Sequence, residues 1–138
     1  DDGIGSKDFN RADVILTGVS RAGKTPTSLY LSVQFGINAA NYPLTEDELD
    51  PPHLPGALLE HRDKLFGLTI QPAQLARIRE GRRPNSRYAS LAQCQYEISR
   101  TESLFNAEAI PYLDSTAVSI EELASLIAQK KGLNRFGL

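Results

Sequence analysis

The sequence predicts an α/β domain, a three-layer sandwich with helices on both sides of a central, mainly parallel sheet of about four strands. Three observations lead there. The runs "ADVILTGV" (12–19) and "KLFGLTI" (64–70) are short, continuous and apolar, the composition of strands buried on both faces. Stretches with helical spacing alternate with them. A glycine-bearing turn also joins the first run directly to the first helix, so strand, loop and helix follow without a linker.

In chain order, the first strand lies in 12–19 and is expected near the centre of the sheet. "KTPTSLYLSVQF" (24–35) reads as a helix stopped by Gly36. Pro26 is tolerated in its first turn, where the missing N–H has no helical partner anyway. "INAANYPL" is a weaker strand closed by Pro43 and Leu44. "TEDELDPPHLPGALLEHRD", acidic and then proline-rich, reads as loop with one short helix. The strand in 64–70 follows, and Pro72 opens the helix "PAQLARIREGRR". A polar loop, "RRPNSR", leads to the longest helix, roughly 88–109, in which Leu91, Cys94, Ile98, Thr101 and Phe105 recur at steps of three and four on one face. "IPYLDST" is the last strand. "SIEELASLIAQKKG" is the last helix, with Ser119 and Glu122 spaced as a capping box and Gly132 as its stop.

The 138 residues suffice for one domain with its own core, and the sequence reads as a single unit, 1–138, with a lead-in over 1–11. Hydrophobic residues at 41% and charged residues at 23% are ordinary for a globular domain. The formal charge of -2 speaks against a general nucleic-acid binder, and no apolar run approaches the roughly 18 to 20 residues that cross a bilayer. Neither nucleic acid nor membrane is therefore expected as a partner. A single cysteine, Cys94, rules out an internal disulfide and fits the reducing cytoplasm. The opening "DDGIGSKDFN" and the lack of any Met predict a piece of a longer polypeptide that starts at a domain boundary.

Gly18, Gly23, Lys24 and Thr25 in "GVSRAGKT" satisfy the pattern G-x-x-x-x-G-K-[ST] at the junction of strand and helix, where such a motif has to sit. A nucleotide's phosphates need several donors converging without side chains in the way. Glycines let the backbone wrap closely, successive N–H groups form an anion nest, and the helix adds its positive end. Residues Gly18, Val19, Ser20, Arg21, Ala22, Gly23, Lys24 and Thr25 are thus the expected nucleotide site, in a fold of the P-loop nucleoside-triphosphate-hydrolase type. Lys24 would follow charge onto the transferring phosphoryl group, Arg21 and Ser20 would face nucleotide or acceptor, and Thr25 would offer a hydroxyl to Mg²⁺. Lys24, Thr25 and Arg21 are the expected catalytic residues.

ATPases and switch proteins usually add a strand ending in a metal-binding Asp. "KLFGLTI" ends without a carboxylate, and Asp114 in "IPYLDST" reads equally as turn and cap before the last helix. A small phosphotransferase fits better than a motor or switch. Five arginines, Arg77, Arg79, Arg82, Arg83 and Arg87, fall within eleven residues. Arg79, Arg82, Arg83 and Arg87 are candidates for a lid over the phosphates, with Arg79 and Arg83 spaced to point the same way; a solvated basic face is the competing reading. His53 and His61 lack metal-ligand spacing, and Cys94 on its apolar face reads as core.

"DVILTGVSRAGKTPTSLYL", "AANYPL", "KLFGLTI", "IRE", "SRYAS" followed by "QC", and "STAVSIEELA" resemble the kinase–pyrophosphorylase family. That family comprises bacterial phosphoenolpyruvate synthase regulatory proteins and plant pyruvate, phosphate dikinase regulatory proteins. The likeness runs through nearly the whole chain. The resemblance implies an enzyme that uses ADP to phosphorylate, and so inactivate, a threonine of phosphoenolpyruvate synthase, beside a catalytic histidine that must itself be phosphorylated. It implies the reverse as well: inorganic phosphate removes the phosphoryl group as pyrophosphate. Gly23 stands where many relatives carry Ser. Family members are about twice as long, so the chain resembles their C-terminal catalytic half. The general base stays open among Asp114, Asp13 and the aspartates of "DDG", and homodimerisation stays open. The alternatives are an ATP-dependent small-molecule kinase of the shikimate or nucleoside-monophosphate type and a nucleotide-sensing module without chemistry.

Overall fold

A computed structural model describes residues 9–133. Strand β1 (Val14–Gly18) carries apolar side chains on both faces and is buried throughout, which requires a neighbour on each edge. It has them: β2 (Ala39–Pro43) pairs on one side and β3 (Leu65–Thr69) on the other, both parallel to it, with Ile15 opposite Ala40 and Leu65. β4 (Tyr112–Asp114) adds parallel to β3, giving one four-stranded sheet of order β2-β1-β3-β4. The P-loop strand is interior, as expected.

Helix α1 (Lys24–Phe35) connects β1 to β2, and Gly36 ends it in the left-handed conformation at φ 64°. The acidic stretch holds a one-turn helix, α2 (Glu46–Leu49), opened by a Thr45–Glu48 capping box, and the proline-rich stretch a 3-10 segment (Gly56–Lys64). α3 (Pro72–Arg82) and α4 (Leu91–Ala107) pack on each other between β3 and β4, and α5 (Ile120–Lys130) packs on α1. The steps β1→β2 and β3→β4 run in opposite directions across the sheet. Right-handed crossovers therefore put α1 and α3–α4 on opposite faces, which makes the three layers.

The long helix starts later than its spacing suggests. Ser90 caps α4 by accepting from the Gln93 amide, while Tyr88 and Ala89 stay in a turn. Cys94, Ile98, Thr101 and Phe105 are buried on its inner face, but Leu91, in the first turn, is 48% exposed. The core runs from β1 and β3 outward to Leu31, Phe105 and Ile127. Among the described residues no helix is long and apolar enough to cross a membrane.

Candidate phosphate-binding site

β1 ends at Gly18 and α1 begins at Lys24, so the turn between them is set by short-range conformation. Gly18 has φ 155°, and a Cβ there would stand 2.5 Å from the Leu68 carbonyl oxygen of β3. Gly23, at the helix N-cap, has φ 103°, in the left-handed region that disfavours side chains. Arg21 occupies that region as well (φ 74°), a strain of about 1 to 3 kcal/mol that persists only where the surroundings enforce it.

They do so by pinning the loop at several points. Ser115, just past β4, donates to the Ala22 carbonyl at 2.9 Å, and Arg79 of α3 donates to the Ser20 carbonyl at 3.1 Å. The Ser20 and Tyr88 hydroxyls bond each other at 2.6 Å. A cavity of about 230 Å³ opens at the helix end, lined by Arg21, Gly23, Lys24, Thr25 and Pro26. The first turn of α1 contains no acidic residue, so its positive end faces the cavity undiminished.

Lys24 is fully buried, and its ammonium donates to the Val19 carbonyl at 2.7 Å. Burial first, then the positive charges of Arg79 and Arg21, push its pKa down to about 7. The amine thus titrates near neutrality and becomes fully charged when an anion arrives. Thr25 lies beside it, and the Asn41 amide on β2 reaches toward its hydroxyl at 3.5 Å. Asn41 is 2% exposed and its Oδ1 has no hydrogen-bond partner, an unmet acceptor next to the hydroxyl expected to serve Mg²⁺.

Among the described residues no group of His, Cys, Asp and Glu forms a metal cage. The donor set fits Mg²⁺ only as that ion is commonly held in phosphoryl-transfer sites, with a threonine hydroxyl beside phosphate oxygens and waters. Thr25 would hold it.

The four lid candidates separate. Arg79 lies inside the molecule, fully buried, donating to Ser20 and Tyr88 carbonyls and to Glu97 (2.8 Å) and stacking on the Tyr88 ring at 4.1 Å. Arg83 reaches the same ring at 5.3 Å, so the i, i+4 pair does point one way. Arg82 and Arg83 line a second cavity beside the loop. Arg87 pairs with Glu46 on the surface.

Of the base candidates, Asp114 accepts from the Thr116 amide and hydroxyl and from Gln71, the bonding of a turn and cap. Burial pushes its carboxyl up, but these hydrogen bonds outweigh that and hold it below the usual range. Asp13 accepts from the Asn38 amide at 2.8 Å. Asp1 and Asp2 lie outside the described residues. His53 is exposed, His61 packs edge-on against Phe9, and Cys94 is core.

Asn41, Tyr88, Glu97 and Ser115 complete the site and were not singled out from sequence. Each lies 16 or more residues from its partner, Thr25 for Asn41, Ser20 for Tyr88, Ala22 for Ser115 and Arg79 for Glu97, and the quoted segments "AANYPL", "SRYAS" and "STAVSIEELA" contained three of them without marking a role.

A parallel sheet whose central strand opens through a pinned, left-handed glycine turn into a lysine-bearing helix is the arrangement of a P-loop-like α/β sandwich. The chain belongs to the family described as "Kinase/pyrophosphorylase", which it matches over residues 1–128. It is 59% identical over 135 residues to a protein of Halorhodospira halophila named "Putative phosphoenolpyruvate synthase regulatory protein", covering 98% of this chain and 50% of that one. Proteins of the same name from Pseudomonas savastanoi and Marinobacter nauticus are 56% and 55% identical over the same coverage. The chain thus spans about half the length of these relatives.

Proposed function

We propose that this chain carries the phosphotransfer site of a bifunctional regulatory enzyme acting on phosphoenolpyruvate synthase. The forward reaction moves the β-phosphoryl group of ADP to a target threonine: the threonine oxygen attacks phosphorus, the bond to the α,β-bridging oxygen breaks, and AMP leaves. In the reverse reaction an orthophosphate oxygen attacks the phosphothreonine phosphorus, the bond from phosphorus to the threonine oxygen breaks, that oxygen takes up the proton orthophosphate loses, and the pyrophosphate formed is released. Both reactions gather charge on a phosphoryl group at one place, so one nest can serve both.

The observation that supports this reading is Lys24, fully buried at a helix N-terminus with its pKa near 7, beside the Thr25 hydroxyl. The loop amides and Lys24 would hold the phosphates, Arg21 would contact the transferring group, and the buried surroundings would exclude water. Mg²⁺, when bound at Thr25, supplies charge neutralisation. The names of the relatives support the choice of target.

The assay incubates this chain, and a full-length protein bearing it, with phosphohistidine-loaded phosphoenolpyruvate synthase and ADP labelled in its β-phosphate. Label on a target threonine, lost in Lys24→Ala and released as pyrophosphate by orthophosphate, is the expected result. No transfer from ADP, with ATP consumed when small metabolites are supplied, would overturn it in favour of a small-molecule kinase.

A further inference from the structure

Beside the phosphate loop lies a cavity of about 400 Å³, larger than the one at Lys24 and distinct from it. Ser20, Arg21, Arg82, Arg83 and Tyr88 line it together with residues 43–45. Arg21 lines both cavities. We propose that this second cavity is an anion site of its own, built for a phosphate dianion, either free orthophosphate or a phosphate ester on a partner's side chain.

Charge is the first support. Among the described residues, Arg79 and Arg87 each have a carboxylate partner, Glu97 and Glu46, whereas no carboxylate pairs with Arg82 or Arg83. Among the described residues no Asp or Glu lines the cavity, and Glu46, next in sequence to the lining residue Thr45, is engaged by Arg87 at 3.2 Å. Two guanidiniums in the lining without a countercharge make a place where an anion is favoured and a cation is not.

Hydrogen bonding is the second support. The Ser20 and Tyr88 hydroxyls share a single bond at 2.6 Å, which uses one of their two hydrogens and leaves the other to donate to a ligand. Tyr88 is itself fixed, its ring contacted by the guanidiniums of Arg79 and Arg83 and its carbonyl held by Arg79. The donors are therefore prepositioned. Pro43, Leu44 and Thr45, also in the lining, are mostly apolar, which suits the carbon side of an ester more than a second phosphate.

Position is the third. Because Arg21 belongs to both cavities, an anion held here sits next to one held by the loop, and Arg21 can bridge them. The existence of the site rests on these observations alone, while its role as acceptor-side subsite rests on the phosphotransfer reading above.

Calorimetric titration with orthophosphate tests it, on wild type with and without saturating ADP. Phosphate should bind with ADP present, and Arg82→Ala/Arg83→Ala should weaken that ADP-insensitive binding at least tenfold. Tyr88→Phe should weaken it less, and Arg77→Ala, outside the cavity, should not change it. Both arginines are exposed, so the double variant should keep its fold, which its melting temperature checks. Competition by phenyl phosphate would identify an ester site, and orthophosphate binding without such competition a free-phosphate site. Phosphate binding that disappears with ADP, or persists in the double variant, would overturn the proposal. Should ADP itself fail to bind, the phosphotransfer reading falls, and Lys24→Ala then silences the loop in place of ADP so that the second site is still read.

Discussion

Among the described residues, Lys24 of the phosphate loop and Arg79 of the α3–α4 corner are the two cations buried to zero exposure, and the molecule treats them in opposite ways. Arg79 is matched by fixed acceptors: Glu97, two carbonyls and the face of Tyr88. Lys24 donates to the Val19 carbonyl at 2.7 Å, and burial with the charges of Arg79 and Arg21 pushes its pKa down to about 7. A cation matched by a carboxylate and two carbonyls is a structural cross-link, here between α3, α4 and the loop carbonyl of Ser20, even though its Nε is left unbonded. A cation whose pKa is pushed down by burial is one that a bound anion would favour further.

The largest effects should separate the two. Arg79→Met leaves the Glu97 carboxylate, 12% exposed, without its partner, and the Ser20 and Tyr88 carbonyls without a donor. Breaking one half of a buried pair costs about 3 to 5 kcal/mol, a fall in melting temperature on the order of 10 °C. Adding Glu97→Gln should recover part of it. Lys24→Met should instead hold or raise the melting temperature while abolishing ADP binding in calorimetry. Equal thermal losses in the two variants would erase the distinction.

The pH dependence sharpens it further. With a folded pKa near 7 and an ordinary value of 10.5, Lys24 binds fewer protons folded than unfolded between those limits. Stability therefore rises with pH through that window, and the penalty is fully present below it. Wild type should gain on Lys24→Met as melts move from pH 7 to pH 10. A phosphate ligand restores the charge, so nucleotide binding at pH 8 should take up about one proton, read from binding heats in buffers of different ionisation enthalpy. No uptake would mean that Lys24 is already charged at rest.

These regions also differ in how much of them the sequence displayed. Gly18 to Thr25 are contiguous, and their chemistry follows from backbone freedom, a helix start and one lysine, all of which survive in a linear reading. β1 and β3 and their apolar runs were legible for the same reason: burial on both faces forces composition. The Arg79 cluster joins residues 20, 79, 88 and 97 through a packing that only the sheet order and crossover handedness create. Read linearly, Arg79 was one of five arginines in a basic stretch, grouped with Arg82, Arg83 and Arg87 as lid candidates, and nothing local marked it as the one that is buried. Asn41 and Ser115 were hidden similarly, since one is a strand residue and the other a turn residue until β1 is set between their neighbours. The start of α4 was misplaced because apolar spacing continues through Tyr88, whereas Ser90 takes the cap.

Ser115 offers an intermediate test. Its hydroxyl holds the loop at Ala22 and also reaches the Thr69 carbonyl at 3.2 Å. Ser115→Ala should cost about 1 kcal/mol of stability, the usual worth of such a bond, with a matching few-fold loss of ADP affinity. A loss of stability alone would mean that the loop keeps its shape without this tether.

The smallest effect is expected at Arg87, and it bears on the same comparison. Arg87 forms an ion pair as Arg79 does, with Glu46 at 3.2 and 3.3 Å, yet the two side chains are 71% and 55% exposed. Water already solvates both charges, so removing one strands nothing, and salt screens what attraction remains. Arg87→Ala should therefore leave the melting temperature unchanged within error at moderate salt. A marked loss would show that the connection between α3 and α4 is fastened to α2 from outside as well as by Arg79 from within, and that fastening would then bear on the neighbouring cavity.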